Sequence, residues 1–235
     1  MAKKNKDISL SNLIKVKPIT EGQKTVFETY KQGKNQFLFG CAGTGKTFVS
    51  LYLAMQDVLN LQTKYEKVIL VRSLIPTREI GFLPGDEEDK AALYQVPYQN
   101  MVKFMFEQPN EQAFNMLYDR LKNQGSLYFL STSFLRGLTF DNSIIIVDEC
   151  QNLNFHELDT ITTRVGQDSK IIYCGDFSQT DLLKQNERNG LHDFLRILEE
   201  MQEFNCVEFN IGDIVRSGFV RNYLIQKTKL GMGME

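Results

Sequence analysis

Residues 40–47 read Gly-Cys-Ala-Gly-Thr-Gly-Lys-Thr, which satisfies the pattern G-x-x-x-x-G-K-[ST] at every fixed position. This string constrains the fold more than any other feature: it calls for a strand that ends in a curled loop, with a helix starting from that loop. Glycines let successive backbone N–H groups turn inward toward phosphate oxygens. Lys46 brings a point charge to the β- and γ-phosphates, Thr47 offers a hydroxyl to magnesium, and the helix N-terminus attracts anions. With ordinary residue abundances, a chance match in a chain this long occurs about once in a hundred. The context fits as well, because Phe37-Leu38-Phe39 precedes the loop and an amphipathic stretch follows it. Gly40, Cys41, Ala42, Gly43, Thr44, Gly45, Lys46 and Thr47 are therefore the expected phosphate cradle.

Three further apolar runs lie at Val68-Ile-Leu-Val71, Ile144-Ile-Ile-Val147 and Ile171-Ile-Tyr-Cys174. They are continuous, not alternating, as strands buried on both faces are. Weaker strand signals fall at 126–130 and 206–210. Helical patterns occupy about 20–32, 46–60, 91–107, 110–123, 154–165, 190–202 and 213–227. Strand–helix alternation predicts an α/β fold with a mostly parallel sheet and helices on both faces. Residues 1–16 read as a flexible N-terminal segment, 17–228 as a single domain, and 229–235 as a tail. Within the domain, 73–142 reads partly as an insertion packed on the core. Its Asp86-Glu-Glu-Asp89 run follows Pro84-Gly85 and suits a helix first turn.

At 235 residues, two full nucleotide-binding cores would be cramped. The net charge of −2 argues against a generally basic protein that coats nucleic acid, and leaves room for a local basic patch. Cys41, Cys150, Cys174 and Cys206 form no CxxC pair and fit no zinc spacing, so reduced thiols in a cytoplasmic protein are expected. No apolar run reaches membrane-spanning length, and the basic start is followed by no hydrophobic signal segment.

The run at 144–147 ends in Asp148-Glu149. Carboxylates at the carboxyl end of a buried parallel strand stand where ligands bind. Asp148 is read as a magnesium ligand acting through water, and Glu149 as the group that polarises the attacking water. A Glu directly after the metal Asp suits hydrolysis over transfer to an acceptor. The fourth run ends in Gly175-Asp176-Phe-Ser-Gln179. By itself Gly-Asp is an ordinary turn, but Gln179 stands where it can sense the γ-phosphate. Tyr94, Tyr98, Met101, Val102 and Met105 share a helical face, read as packed core in preference to a base-stacking surface; Phe104 and Phe106 leave that face and are expected to be exposed. His156 and His192 stand alone. The cysteines near the loop read as small buried filler in preference to redox sensors.

Together these segments resemble the PhoH family, ATPases of bacteria and phages whose motif layout is similar to that of superfamily 1 helicases. The resemblance runs from about residue 18 to 224. It includes Gly40–Thr47, Arg72 with Ile75-Pro76, Gly81-Phe-Leu-Pro-Gly-Asp86, Arg136-Gly-Leu-Thr-Phe140, Val147–Asn152, Thr163-Arg-Val-Gly166, Gly175-Asp176 with Gln179, and Asp213–Ser217. Cys41, Leu138 and Cys150 depart from the residues usual there (Pro, a basic residue and Ala). The resemblance implies a RecA-like core, ATP with Mg²⁺, and work linked to RNA. It also places Gln23 where superfamily 1 proteins carry an adenine-reading glutamine, although Gln23 equally suits a capping box with Thr20.

Hydrolysis in such folds draws on an arginine that neutralises transition-state charge. Arg216 is the leading candidate and Arg164 the second. In a one-core chain the arginine comes from the same core or from a neighbouring subunit, which suggests a homo-oligomer, even a ring, with ATP between subunits. The expected catalytic set is Lys46, Glu149, Gln179 and Arg216. The expected function is ATP hydrolysis coupled to remodelling of RNA or single-stranded DNA; the alternative is an ATP-dependent regulatory switch without a nucleic-acid substrate.

Overall fold

The computed structural model describes residues 7–73, 87–132, 135, 137–176 and 185–230, with the side chains of 87–91, 185–189 and 228 outside the description. Six strands, β1 (Asn35–Gly40), β2 (Lys67–Arg72), β3 (Leu127–Ser131), β4 (Ser143–Val147), β5 (Lys170–Cys174) and β6 (Phe204–Phe209), form one sheet in the order β3-β2-β4-β5-β1-β6. Every pairing is parallel. All six carboxyl ends therefore emerge at one edge, and β5 alone separates the loop strand β1 from the carboxylate strand β4.

The continuous apolar runs have a direct cause. In β4, Ile144 and Ile146 enter one core, while Ile145 and Val147 enter another on the opposite face. The same split divides Val68 and Leu70 from Ile69 and Val71, and Ile172 and Cys174 from Ile171 and Tyr173. Each fully buried Ile or Val contributes roughly 1.5–3 kcal/mol, so a polar replacement at any of these positions would forfeit that stabilisation. The first core is closed by side chains of α1 (Glu21–Lys31), α2 (Lys46–Leu59), α3 (Glu87–Met105) and α4 (Glu111–Asn123). The second is closed by α5 (Phe155–Thr162) and α6 (Gln185–Glu200). The fold is the expected α/β core with helices on both faces. From the stretch 73–142, β3 forms an edge strand of this sheet, and Tyr98, Val102, Met105, Phe114 and Leu121 sit in the first core.

Two sequence expectations need correction. Phe104 is exposed as expected, but Phe106 is buried at 4% exposure, because the chain leaves α3 at Met105 and turns the ring back into the first core. The last helix does not begin at Asp213. A 3₁₀ turn covers Ile211–Asp213, and α7 runs Gly218–Lys229. The Asp213 carboxylate takes the N–H of Asn210 at 3.0 Å and that of Gly22, at the start of α1, at 2.8 Å. Committed to those two amides, Asp213 ends a turn, and the chain runs on extended to Gly218. Burial opposes ionisation of Asp213, but these backbone N–H bonds and the Thr20 hydroxyl outweigh it and lower its pKa.

Candidate functional site

The loop owes its shape to glycine at the positions the sequence predicts. Gly40, Gly43 and Gly45 hold φ of 108°, 73° and 85°, in the left-handed region. Lys46 opens α2 and curls back, donating to the carbonyls of Gly40 at 2.9 Å and Cys41 at 2.8 Å. Burial lowers the pKa of its ammonium, while the charges of Asp176 and Glu149 pull the other way. A buried cation held by two neutral carbonyls is incompletely compensated, and an anion at the loop would complete it. Thr44 caps the curl from within, its hydroxyl bonded to the Cys41 carbonyl at 3.0 Å.

Asp148 stands directly against this cradle. Its backbone N–H bonds to Val71 O at 2.9 Å, which fixes the end of β4 to β2. The Thr47 hydroxyl donates to Asp148 Oδ1 at 2.6 Å, so the two expected magnesium ligands already share one point. Among the described residues, no group of three or more His, Cys, Asp or Glu is placed to hold a metal. Thr47 and Asp148 nevertheless fit magnesium, an oxygen-seeking ion that keeps several waters and takes further ligands from substrate phosphates.

Glu149 departs sharply in backbone conformation, with φ of 53°. That kink turns its side chain aside from the strand direction, where the Gln151 amide donates to its Oε2 at 2.6 Å. Gln151 in turn accepts the Asp176 N–H at 3.1 Å, so one buried amide joins the ends of β4 and β5. Burial first, then the Asp148 charge, raise the Glu149 pKa, with Gln151, Arg72 and Lys46 opposing. An elevated carboxylate pKa suits a base that must take a proton near neutral pH. Sequence reasoning quoted Gln151 only as part of a motif and gave it no task.

A second residue it passed over is Tyr98. The Tyr94–Met105 stripe is core, as read, and Tyr98 is 1% exposed, but its hydroxyl donates to Asp148 Oδ2 at 2.7 Å. Arg72, at the end of β2, lies within electrostatic reach of Tyr98 and over the Tyr94 ring at 5.5 Å. The one signal in the sequence was a tyrosine where a leucine would have packed as well.

Gln23 reaches the loop. Its Nε2 donates to Thr44 O at 3.0 Å and its Oε1 accepts the Ile19 N–H at 3.0 Å. Thr20 does cap α1, through the Gln23 N–H at 3.3 Å, but the Gln23 side chain faces the cradle. Arg216 also lies on the loop: a methyl at Gly43 would stand 2.9 Å from Arg216 Cγ and 3.3 Å from its Nε, and Val215 N–H donates to Gly43 O at 3.0 Å. Arg164 is elsewhere. Its carbonyl bonds the Phe140 N–H on the approach to the start of β4, at the edge of the sheet opposite the loop, so it cannot serve this chain's own site. Cys150 and Cys174 are buried and Cys41 is half-buried, all with thiol pKa values pushed up by burial. Gln179, Arg136, Ile75-Pro76 and Gly81–Asp86 lie outside the described residues, as do the side chains of Glu87–Asp89. No helix among the described residues is long and apolar enough to cross a membrane.

Comparison with known proteins agrees with this fold. A large terminase from a thermophilic bacteriophage shares the fold at a TM-score of 0.50 and 12% identity, over 88% of this chain and 50% of that one. A PhoH-like protein of Synechocystis is 31% identical over 207 residues, covering 88% of this chain and 60% of that protein. A PhoH-like protein of Mycobacterium leprae is 33% identical over 217 residues, covering 91% and 59%, and Protein PhoH of Escherichia coli is 32% identical over 190 residues, covering 80% and 51%. The chain thus spans at most about three-fifths of the length of these relatives. The family model described as PhoH-like protein matches residues 15–226, taking in the loop, the carboxylate strand and the Asp213–Ser217 strap. With its phosphate-loop sequence and carboxylate strand on a parallel RecA-like sheet, this chain belongs to the PhoH-like protein family.

Proposed function

We propose that the chain binds ATP with Mg²⁺, hydrolyses it, and couples the cycle to RNA or single-stranded DNA. The observation that carries the first part is the 2.6 Å hydrogen bond from Thr47 to Asp148, with Glu149 next in sequence and within electrostatic reach of Lys46. Amides of 41–47 and the Lys46 ammonium bind the β- and γ-phosphates. Thr47 and Asp148 would hold magnesium, which would supply positive charge against the phosphates. Glu149, oriented by Gln151, accepts a proton from the attacking water. Gln23 reads the base, and Gln179 senses the γ-phosphate.

Arg216 acts in cis as the charge-neutralising arginine; its packing against Gly43 of its own chain supports this over donation from a neighbouring subunit of a homo-oligomer. Mixing Lys46→Ala with Arg216→Ala protein, each inactive alone, will then restore no ATPase activity. Recovered turnover in mixtures that exchange subunits would move the arginine to the neighbour.

The nucleic-acid half of the proposal rests on α7 and on the family resemblance. This helix carries Arg221, Lys227 and Lys229 and no acidic residue, and it shows Phe219 (84% exposed) and Tyr223 (61%) to solvent. Flat rings among cations suit base stacking along a phosphate backbone. ATP turnover should rise several-fold with RNA or single-stranded DNA, and that stimulation should fade between about 50 and 200 mM salt. A magnesium-dependent rate that ignores nucleic acid would favour an ATP-driven switch instead, and absence of any turnover would refute hydrolysis.

A further inference from the structure

We propose that Tyr98 is a positioning residue for the metal site: its hydroxyl, backed by the Arg72 guanidinium, holds the Asp148 carboxylate in the one orientation that faces Thr47 and bound magnesium. This rests on the reading of Asp148 as a metal ligand given above.

The bond pattern supports the assignment. A carboxylate at the end of a strand turns easily about its last torsion, which has broad wells. Here both oxygens are engaged from opposite sides, Oδ1 by Thr47 of α2 at 2.6 Å and Oδ2 by Tyr98 of α3 at 2.7 Å. Lengths near 2.6 Å mark strong hydroxyl-to-carboxylate bonds. Each oxygen keeps a further lone pair for metal-bound water. Packing does not account for the hydroxyl. The Tyr98 ring rests 5.7 Å from the Phe129 ring inside the first core, where a phenylalanine would fill the same volume. The hydroxyl instead lies between two charged groups of the site edge, giving a hydrogen bond to Asp148 and feeling the Arg72 charge. Partners one step removed from a metal commonly change its affinity 10–100-fold.

The test measures binding of a fluorescent ADP analogue to the full chain, titrated with Mg²⁺ and repeated in EDTA. For Tyr98→Phe, the Mg²⁺ concentration giving half the metal-dependent gain should rise about tenfold or more. Binding in EDTA should stay within about twofold, since the amide cradle is untouched. A purely structural role would weaken both measurements together, and that result overturns the proposal. An unchanged Mg²⁺ requirement also overturns it. Should Tyr98→Phe not fold, Arg72→Gln is measured instead and should show the same split at about three- to tenfold; a wild-type Mg²⁺ requirement there refutes the proposal. Wild-type protein with no metal-dependent gain at all would instead remove the reading of Thr47 and Asp148 as metal ligands, and this inference with it.

Discussion

Glu149→Gln will bind Mg²⁺·ATP as tightly as the wild type and hydrolyse it about 10³-fold more slowly. A positioned general base contributes roughly 10²–10⁴ in rate, and an amide cannot accept the proton. The fold should survive the exchange. The replacement amide has the same shape, and its oxygen can take the Gln151 N–H that now reaches Glu149 Oε2 at 2.6 Å. Affinity should hold as well, because Lys46, Thr47 and Asp148 are unchanged and one negative charge near the phosphates has gone. Single-turnover phosphate release beside equilibrium nucleotide binding separates the two effects. A variant that hydrolyses within about tenfold of wild type would remove Glu149 from the role of base, whatever happens to binding.

Gly40→Ala will unfold the protein far more readily, by about 3 kcal/mol or more. At φ of 108° an alanine is strained before any contact is considered. Its methyl would also overlap the Phe209 carbonyl oxygen and stand 3.0 Å from the Phe209 carbon and nitrogen. That obstacle is backbone, and it is already bonded: Phe209 O accepts the Cys41 N–H at 2.9 Å where β1 meets β6. Nothing there can rotate away. For a chain of this size, the thermal midpoint should fall by roughly 6–12 °C. Gly33→Ala is the control. Its φ is 79°, yet nothing lies within 4 Å of the added methyl, so it should cost only about 1 kcal/mol, the left-handed penalty alone. Equal losses at the two positions would show that backbone strain, and not the close approach of β6, governs the loop's base.

How far the sequence could be read followed from the range of the interactions involved. The four inner strands were legible because two helical layers forced apolar residues onto both faces, the edge strands β3 and β6 gave weaker signals because residues such as Tyr128 and Glu208 face solvent, and the phosphate loop was legible because its glycines answer to local backbone geometry. Thr20 was legible as a cap for the same local reason. What escaped reading depended on partners far along the chain. Asp213 looked like a helix start, but its carboxylate is spent on Gly22, at the far end of the chain. Tyr98 belonged to an apolar stripe, and nothing in the stripe tells that its hydroxyl meets Asp148. Gln151 joins two strand ends whose neighbourhood is fixed by sheet order, which no spacing encodes. Gln23 had two sound local readings, and its amide spans both, with Oε1 on the Ile19 N–H beside the cap and Nε2 on Thr44 O of the loop.

The strap from Asp213 to Ser217 is pinned at two points, to Gly22 by the Asp213 side chain and to Gly43 by the Val215 amide. Loop and last helix therefore cannot shift independently. If the amides around Gly43 gather on a triphosphate, as the proposed activity requires, the root of α7 would be drawn along. Those 12 residues make a rod roughly 18 Å long, so a slight tilt at Gly218 becomes a wide sweep at Lys229. Phe219 and Tyr223 ride on that rod, and chemistry at the cradle would reach whatever they grip as leverage.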